Sequence, residues 1–124
     1  MTIKSYRDLR VWNEAMDLAE ECYRLTATFP KEEVFGISSQ MKRAAVGIPA
    51  NIAEGYGRES TGAYVQFLRI AQGSLKELET HVLLAERVGL ARPEAAEGLL
   101  SRCEAVGKML GSLIRSVGRN PRAP

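Results

Sequence analysis

Between Val11 and Phe29 the residues Val11, Ala15, Leu18, Cys22, Leu25 and Phe29 recur at alternating steps of four and three. That spacing brings side chains to one face of a helix with about 3.6 residues per turn. A second seam, Trp12, Met16, Ala19, Tyr23 and Thr26, runs beside it. Two adjoining seams call for two neighbouring helices, as in a bundle, so Trp12 and Tyr23 read as packing residues rather than ligand-stacking ones. The helix is expected to begin near Ser5, where Ser5 and Asp8 have capping-box spacing with Asp in place of the usual Glu. It is expected to stop at Pro30, which lacks an N–H and disfavours helix at the residue before it.

The next helix, from Glu32 or Phe35 to Gly55, is the one around which the chain is organised. Ile37, Met41, Ala44, Ala45, Ile48 and Ile52 make an apolar stripe, and Gln40, Arg43, Gly47, Asn51 and Glu54 form a small and polar seam alongside it. Amides and charges taken out of water need partners, so this seam demands close, hydrogen-bonding neighbours. Pro49 removes one backbone hydrogen bond inside the helix and predicts a bend near Ala45 to Pro49. Gly55, Tyr56 and Gly57 end it.

Ser60 or Thr61 caps a third helix, with Tyr64, Leu68, Ala71, Leu75, Leu78, Val82 and Ala85 as its seam and Gly89 as its stop. Arg92 and Pro93 open a fourth, proline taking the tolerated first position, and Leu99, Cys103, Val106, Leu110, Leu113 and Val117 give it a seam. Four helices joined by short connections predict an all-α, antiparallel up-down-up-down four-helix bundle. The expected organisation is one domain over residues 1–119 and a flexible tail over residues 120–124.

Composition changes this picture little. Of 124 residues, 45% are hydrophobic and 26% charged, the balance of a soluble globular chain. No apolar run approaches the roughly 18 residues of a membrane span, and MTIKSYRDLR lacks the apolar core of a signal peptide; the expectation is a cytoplasmic protein without membrane contact. Cys22 and Cys103 fall on apolar seams and read as small core residues. His81 is the only histidine, and no spacing matches a metal site or cofactor motif.

Charge matters more, because it is unevenly placed. The net charge is +2, yet all four charged residues from Ala105 onward, Lys108, Arg115, Arg119 and Arg122, are basic. Such a surface meets phosphate, although a positive helix end also complements its own dipole.

Little here assembles an enzyme. Glu77 and Glu79 lie on different faces of their helix, and Glu77 and His81 lack the spacing and partners of a di-iron bundle. No cofactor, metal or small-molecule substrate is expected. If the second and third helices turn back on each other around Arg58, Arg43 lies near Gly73 to Glu77 and Asn51 near Val65 to Phe67. The expectation is then a structural polar network of Gln40, Arg43, Asn51, Glu54, Ser74 and Glu77, with an Arg43–Glu77 pair that is damaging to break from one side.

The segments YRDLRVWNEAMDLAEECYRLTATFP, FGISSQMKRAAVGIPANIAEGYGRES and YVQFLRIAQGSLKELETHVLLAERVG resemble the bacterial four-helix-bundle proteins known as 23S ribosomal RNA intervening-sequence proteins. The resemblance runs from about Tyr6 to Leu90 and rests above all on QMKRAAVGIPANIAEGYGR together with AQGSLKELE; the fourth helix matches only in pattern. It implies an antiparallel bundle assembled as a homopentamer, of unestablished biochemical role. A related group of pentameric bundles, the accessory proteins of diversity-generating retroelements, binds nucleic acid through a basic surface, which bears on this chain by analogy.

The functional expectation is a non-enzymatic oligomeric scaffold or adaptor with RNA or a nucleoprotein as partner, contacting phosphate through Arg58, Lys108, Arg115, Arg119 and Arg122. The alternative is a protein-protein interaction module that docks a partner helix. Trp12 and the outer seam of the first helix are the expected subunit contact.

Overall fold

The apolar seams read from the sequence close on a common centre in the computed structural model, which describes residues 2–120. Helix α1 is Arg10–Thr26, α2 Ile37–Tyr56, α3 Thr61–Arg87 and α4 Pro93–Arg119, with single 3₁₀ turns at Tyr6–Asp8 and Lys31–Glu33 and no strand among the described residues. Each helix packs on two others, α1 and α3 both lying against α2 and α4. Short connections reverse the direction each time, which gives the antiparallel four-helix bundle. Leu18, Met41, Ile48, Ile52, Leu68, Leu75, Leu78, Leu99 and Leu110 are completely or almost completely buried between the helices. Truncating one such side chain to alanine costs about 2–5 kcal/mol.

Three helix boundaries differ from expectation. The Ser5–Asp8 capping box forms, but it closes the 3₁₀ turn, and α1 starts only at Arg10. At the far end α1 stops at Thr26, short of Pro30. The Thr26 and Thr28 hydroxyls donate to the carbonyls of Tyr23 and Leu25 at 3.1 and 2.7 Å, so side chains take up the end of the helix before the proline acts. Helix α2 begins at Ile37 after Gly36 and runs as one element through Pro49 to Tyr56.

Ser60 caps α3 by accepting from the Ala63 amide at 3.2 Å. After Arg87 the chain reaches Gly89 at φ +84°, where Leu90 donates to the Ala85 carbonyl at 2.8 Å and Gly89 to that of Glu86 at 3.1 Å. This paired closure requires a left-handed residue, the conformation glycine adopts without a Cβ penalty.

Helices α2 and α3 share the most intimate contact. A Cβ at Gly47 would lie 2.8 Å from Ser74 Oγ, and one at Gly55 2.8 Å from Phe67 Cβ and 3.1 Å from the Tyr64 carbonyl. Glycine at both positions lets the backbones approach. These contacts also set the register, placing Arg43 level with about Leu78 and Asn51 with about Ile70, further along α3 than expected. Between α1 and α4 the contact is partly ionic: Arg102 reaches Glu21 at 3.5 Å and Glu14 at 3.8 Å.

Candidate nucleic-acid interface

An up-down bundle gathers alternate helix ends. The start of α1, the α2–α3 turn and the end of α4 share one end of this molecule, so Arg7, Arg10, Arg58, Arg115 and Arg119, distant in sequence, come together there. The opposite end carries Glu32, Glu33, Glu86, Glu94 and Glu97 together with Lys31, Arg87 and Arg92, and the basic end also holds Asp8, Glu54 and Glu59. The excess of arginine at one end and of glutamate at the other polarises the chain modestly along its axis.

Local chemistry holds the basic end in place. Asp8 Oδ2 accepts from the amides of Lys4 and Ser5 at 2.9 and 3.2 Å, and Ser5 Oγ accepts from the Arg7 amide at 3.1 Å. Asn13 then ties this turn to α1 by donating to the carbonyls of Arg7 and Leu9 at 2.9 and 3.0 Å. Tyr6 packs edge-on against Trp12 with ring centres 5.3 Å apart, and the Arg7 guanidinium lies 5.7 Å from the Tyr6 ring centre. Arg58 spreads over the Phe67 ring at 4.7 Å and pairs with Glu54 at 3.5 Å. Arg115 and Arg119 are one turn apart and exposed on the outer face of α4.

Two of the phosphate-contact residues named from the sequence stand apart. Lys108 shares the outer face of α4 but sits further up the bundle, paired with Glu104 at 3.3 Å on the rim of an open groove of about 760 Å³ between α3 and α4. Arg122 lies outside the described residues, as does the part of the tail beyond Asn120. Arg7 and Arg10 escaped the sequence reading, which weighed the charge run at the C-terminus. The antiparallel topology is the signal that places them.

The polar seam of α2 is arranged differently from expectation. Asn51 donates to the Gly47 carbonyl of its own helix at 2.7 Å, Glu54 turns to Arg58, and Ser74 lies over Gly47. Gln40, Arg43 and Glu77 are exposed. Among the described residues Arg43 makes no ion pair, and the Glu77 carboxylate is 3.9 Å from His81 Nε2. The intrachain Arg43–Glu77 pair is thus not formed. The helices touch backbone to side chain at Gly47 and Ser74, so the residues flanking that line splay outward rather than across it.

The remaining reactive groups are enclosed. Burial pushes the Cys22 thiol up to about 11, with the Lys42 charge opposing it; burial raises Cys103 to about 12, the Glu79 carboxylate adding to the effect. Both are free thiols in the core, and Cys22 Sγ points at the Met41 carbonyl at 3.6 Å. Such thiols are not nucleophiles at neutral pH. His81 Nε2 is shut from solvent with no hydrogen-bond partner among the described residues. No three His, Cys, Asp or Glu side chains converge as a metal site among the described residues, and no described helix is long and apolar enough to cross a membrane.

Fold and surface define an all-α, antiparallel four-helix bundle with one basic end. The chain belongs to the 23S rRNA-intervening sequence protein family, whose model matches residues 7–112. The match extends well into α4, beyond Leu90 where the sequence resemblance thinned to pattern alone. Among solved structures the chain is similar to a protein of unknown function from the S23 ribosomal protein family of Bacteroides thetaiotaomicron VPI-5482, with a TM-score of 0.76 and 24% identity over 84% of this chain and 97% of that one. Comparison with curated proteins gives no match.

Proposed function

We propose that this protein is a non-enzymatic, oligomeric adaptor of the cytoplasm that binds RNA, or RNA within a nucleoprotein, through the basic end of its bundle. The observation that carries this reading is the convergence of Arg7, Arg10, Arg58, Arg115 and Arg119 on one end, where they outnumber Asp8, Glu54 and Glu59. Arginine suits phosphate because its planar fork donates two parallel hydrogen bonds. A single end of this kind binds weakly, but several copies pointing the same way add their fields and their contacts. The homopentamer that the family resemblance implies would supply five.

The test is fluorescence anisotropy of a labelled single-stranded RNA, run beside light scattering, at about 50 mM and about 200 mM salt. Binding by an oligomer that weakens steeply with salt supports the reading; affinity indifferent to salt, or no binding at the lower salt, overturns it. A second reading, a module that docks a partner helix, is favoured by the open groove between α3 and α4, where Leu75, Leu100 and Cys103 line a trough narrowed by no side chain at Gly73 or Gly107. It gains if RNA fails to bind.

A further inference from the structure

The outer face shared by α2 and α3 carries the most exposed large apolar side chains of the described residues. Toward its upper end Phe35, just before α2, is 95% exposed, and Val88 at the end of α3 is 60% exposed, with Leu84 one turn earlier about half exposed. Lower down, Val46 and Ile70 are also exposed. Between these apolar stretches stand two opposite charges, Arg43 on α2 and Glu77 on α3, each exposed and not paired with the other. Isolated surface hydrophobics are ordinary, but a run of them along one face, framing opposite charges, marks an interaction surface.

The register identifies what fits there. Arg43 is level with about Leu78, so it and Glu77 sit within about one residue rise, 1.5 Å, of the same height. Rotation of the molecule about an axis parallel to the bundle preserves height. In a closed ring on such an axis with the α2–α3 face turned inward, α2 of one protomer meets α3 of the next at matching height, which sets Arg43 toward Glu77. Every protomer gives one cation and receives one carboxylate, leaving no charge unmatched around the ring. The same rotation keeps all the basic ends on one side.

We infer that the α2–α3 face is the contact between copies of this chain, closed by an Arg43–Glu77 ion pair formed between protomers and by Phe35, Leu84 and Val88. This rests on the oligomeric reading above and goes beyond it by naming the surface and the pair. It also moves the contact away from the Trp12 seam of α1, which exposes Met16 and Tyr23 but buries Ala19 and Thr26 within the chain and carries no complementary pair of charges at one height.

The experiment is light scattering behind size-exclusion chromatography on full-length wild type, Arg43→Glu, Glu77→Arg, the double swap and an equimolar mixture of the two single swaps, with circular dichroism of each. The expected result is that either single swap weakens assembly at least about tenfold, as like charges then oppose each other. The double swap restores it, and the mixture forms assemblies containing both chains, which an intrachain pair could not produce. Wild-type assembly unaffected by the single swaps overturns this inference and leaves the oligomeric reading standing. A monomeric wild type overturns both. Should a swap unfold the chain, Phe35→Asp makes the same test from a fully exposed position, and unchanged assembly in that variant overturns the inference.

Discussion

Gly47 of α2 lies directly beneath Ser74 of α3, so closely that a Cβ on residue 47 would stand 2.8 Å from the serine hydroxyl. Together with the matching approach of Gly55 to Phe67 and the Tyr64 carbonyl, this contact fixes the separation and register of the two helices.

Gly55→Ala is expected to destabilise the fold, by about 1–3 kcal/mol, the usual cost of overpacking, because Phe67 Cβ and the Tyr64 backbone carbonyl cannot swing aside. Gly47→Ala is expected to cost less than Gly55→Ala, since the Ser74 hydroxyl can rotate away and leave Ser74 Cβ at 3.5 Å, and alanine's helix propensity offsets what remains. Gly98→Ala meets open space within α4 and is expected to stabilise by about 0.5–1 kcal/mol through helix propensity. Urea denaturation of the three variants checks the signs.

Burial of Cys22 and Cys103 links stability to alkaline pH. Their thiols titrate at about 11 and about 12 in the folded chain, against about 8.5 when unfolded. Between those values the unfolded state holds fewer protons, so stability falls as pH rises. The contribution is complete below about pH 8.5 and is lost progressively toward pH 11 and beyond. Denaturation midpoints between about pH 8 and pH 10 should decline, and more gently in Cys103→Ala than in wild type.

Arg102→Ala removes the cation between Glu14 and Glu21. All three side chains are a third or more exposed, which screens the interaction, yet Glu21 Oε2 itself is covered. A destabilisation of about 0.5–1 kcal/mol is expected, measurable as a small drop in denaturation midpoint at low salt that shrinks as salt rises.

If the basic end binds RNA, Arg115→Ala and Arg119→Ala should each lower affinity and reduce the salt slope by about 0.7 for each phosphate no longer neutralised. Lys108→Ala should do neither to a comparable degree, since Lys108 stands about two turns further up α4 than Arg115, away from that end. Anisotropy titrations at several salt concentrations separate the two outcomes.

The helices were legible because burial imposes periodicity. The seam Tyr64, Leu68, Ala71, Leu75, Leu78, Val82 and Ala85 is identical to the set of residues α3 buries. Gly89 and Pro93 were equally plain, since one conformation and one missing N–H leave few positions for them. The polar seam of α2 misled. Gly47 served packing as expected, but periodicity alone does not tell a polar residue beside a buried stripe from one just outside it, and Arg43 fell on the outer side.

The four helices, the faces they bury and their antiparallel order follow from the amino-acid sequence alone, because helical spacing, caps and short connections act over a few residues at a time. Packing in three dimensions was needed to bring Arg7 and Arg10 to the end that holds Arg58, Arg115 and Arg119, and to set Arg43 and Glu77 apart on one exposed face. Those relationships depend on the register between helices, set by the close approach of backbone and side chain at Gly47 and Gly55, and no local pattern encodes it.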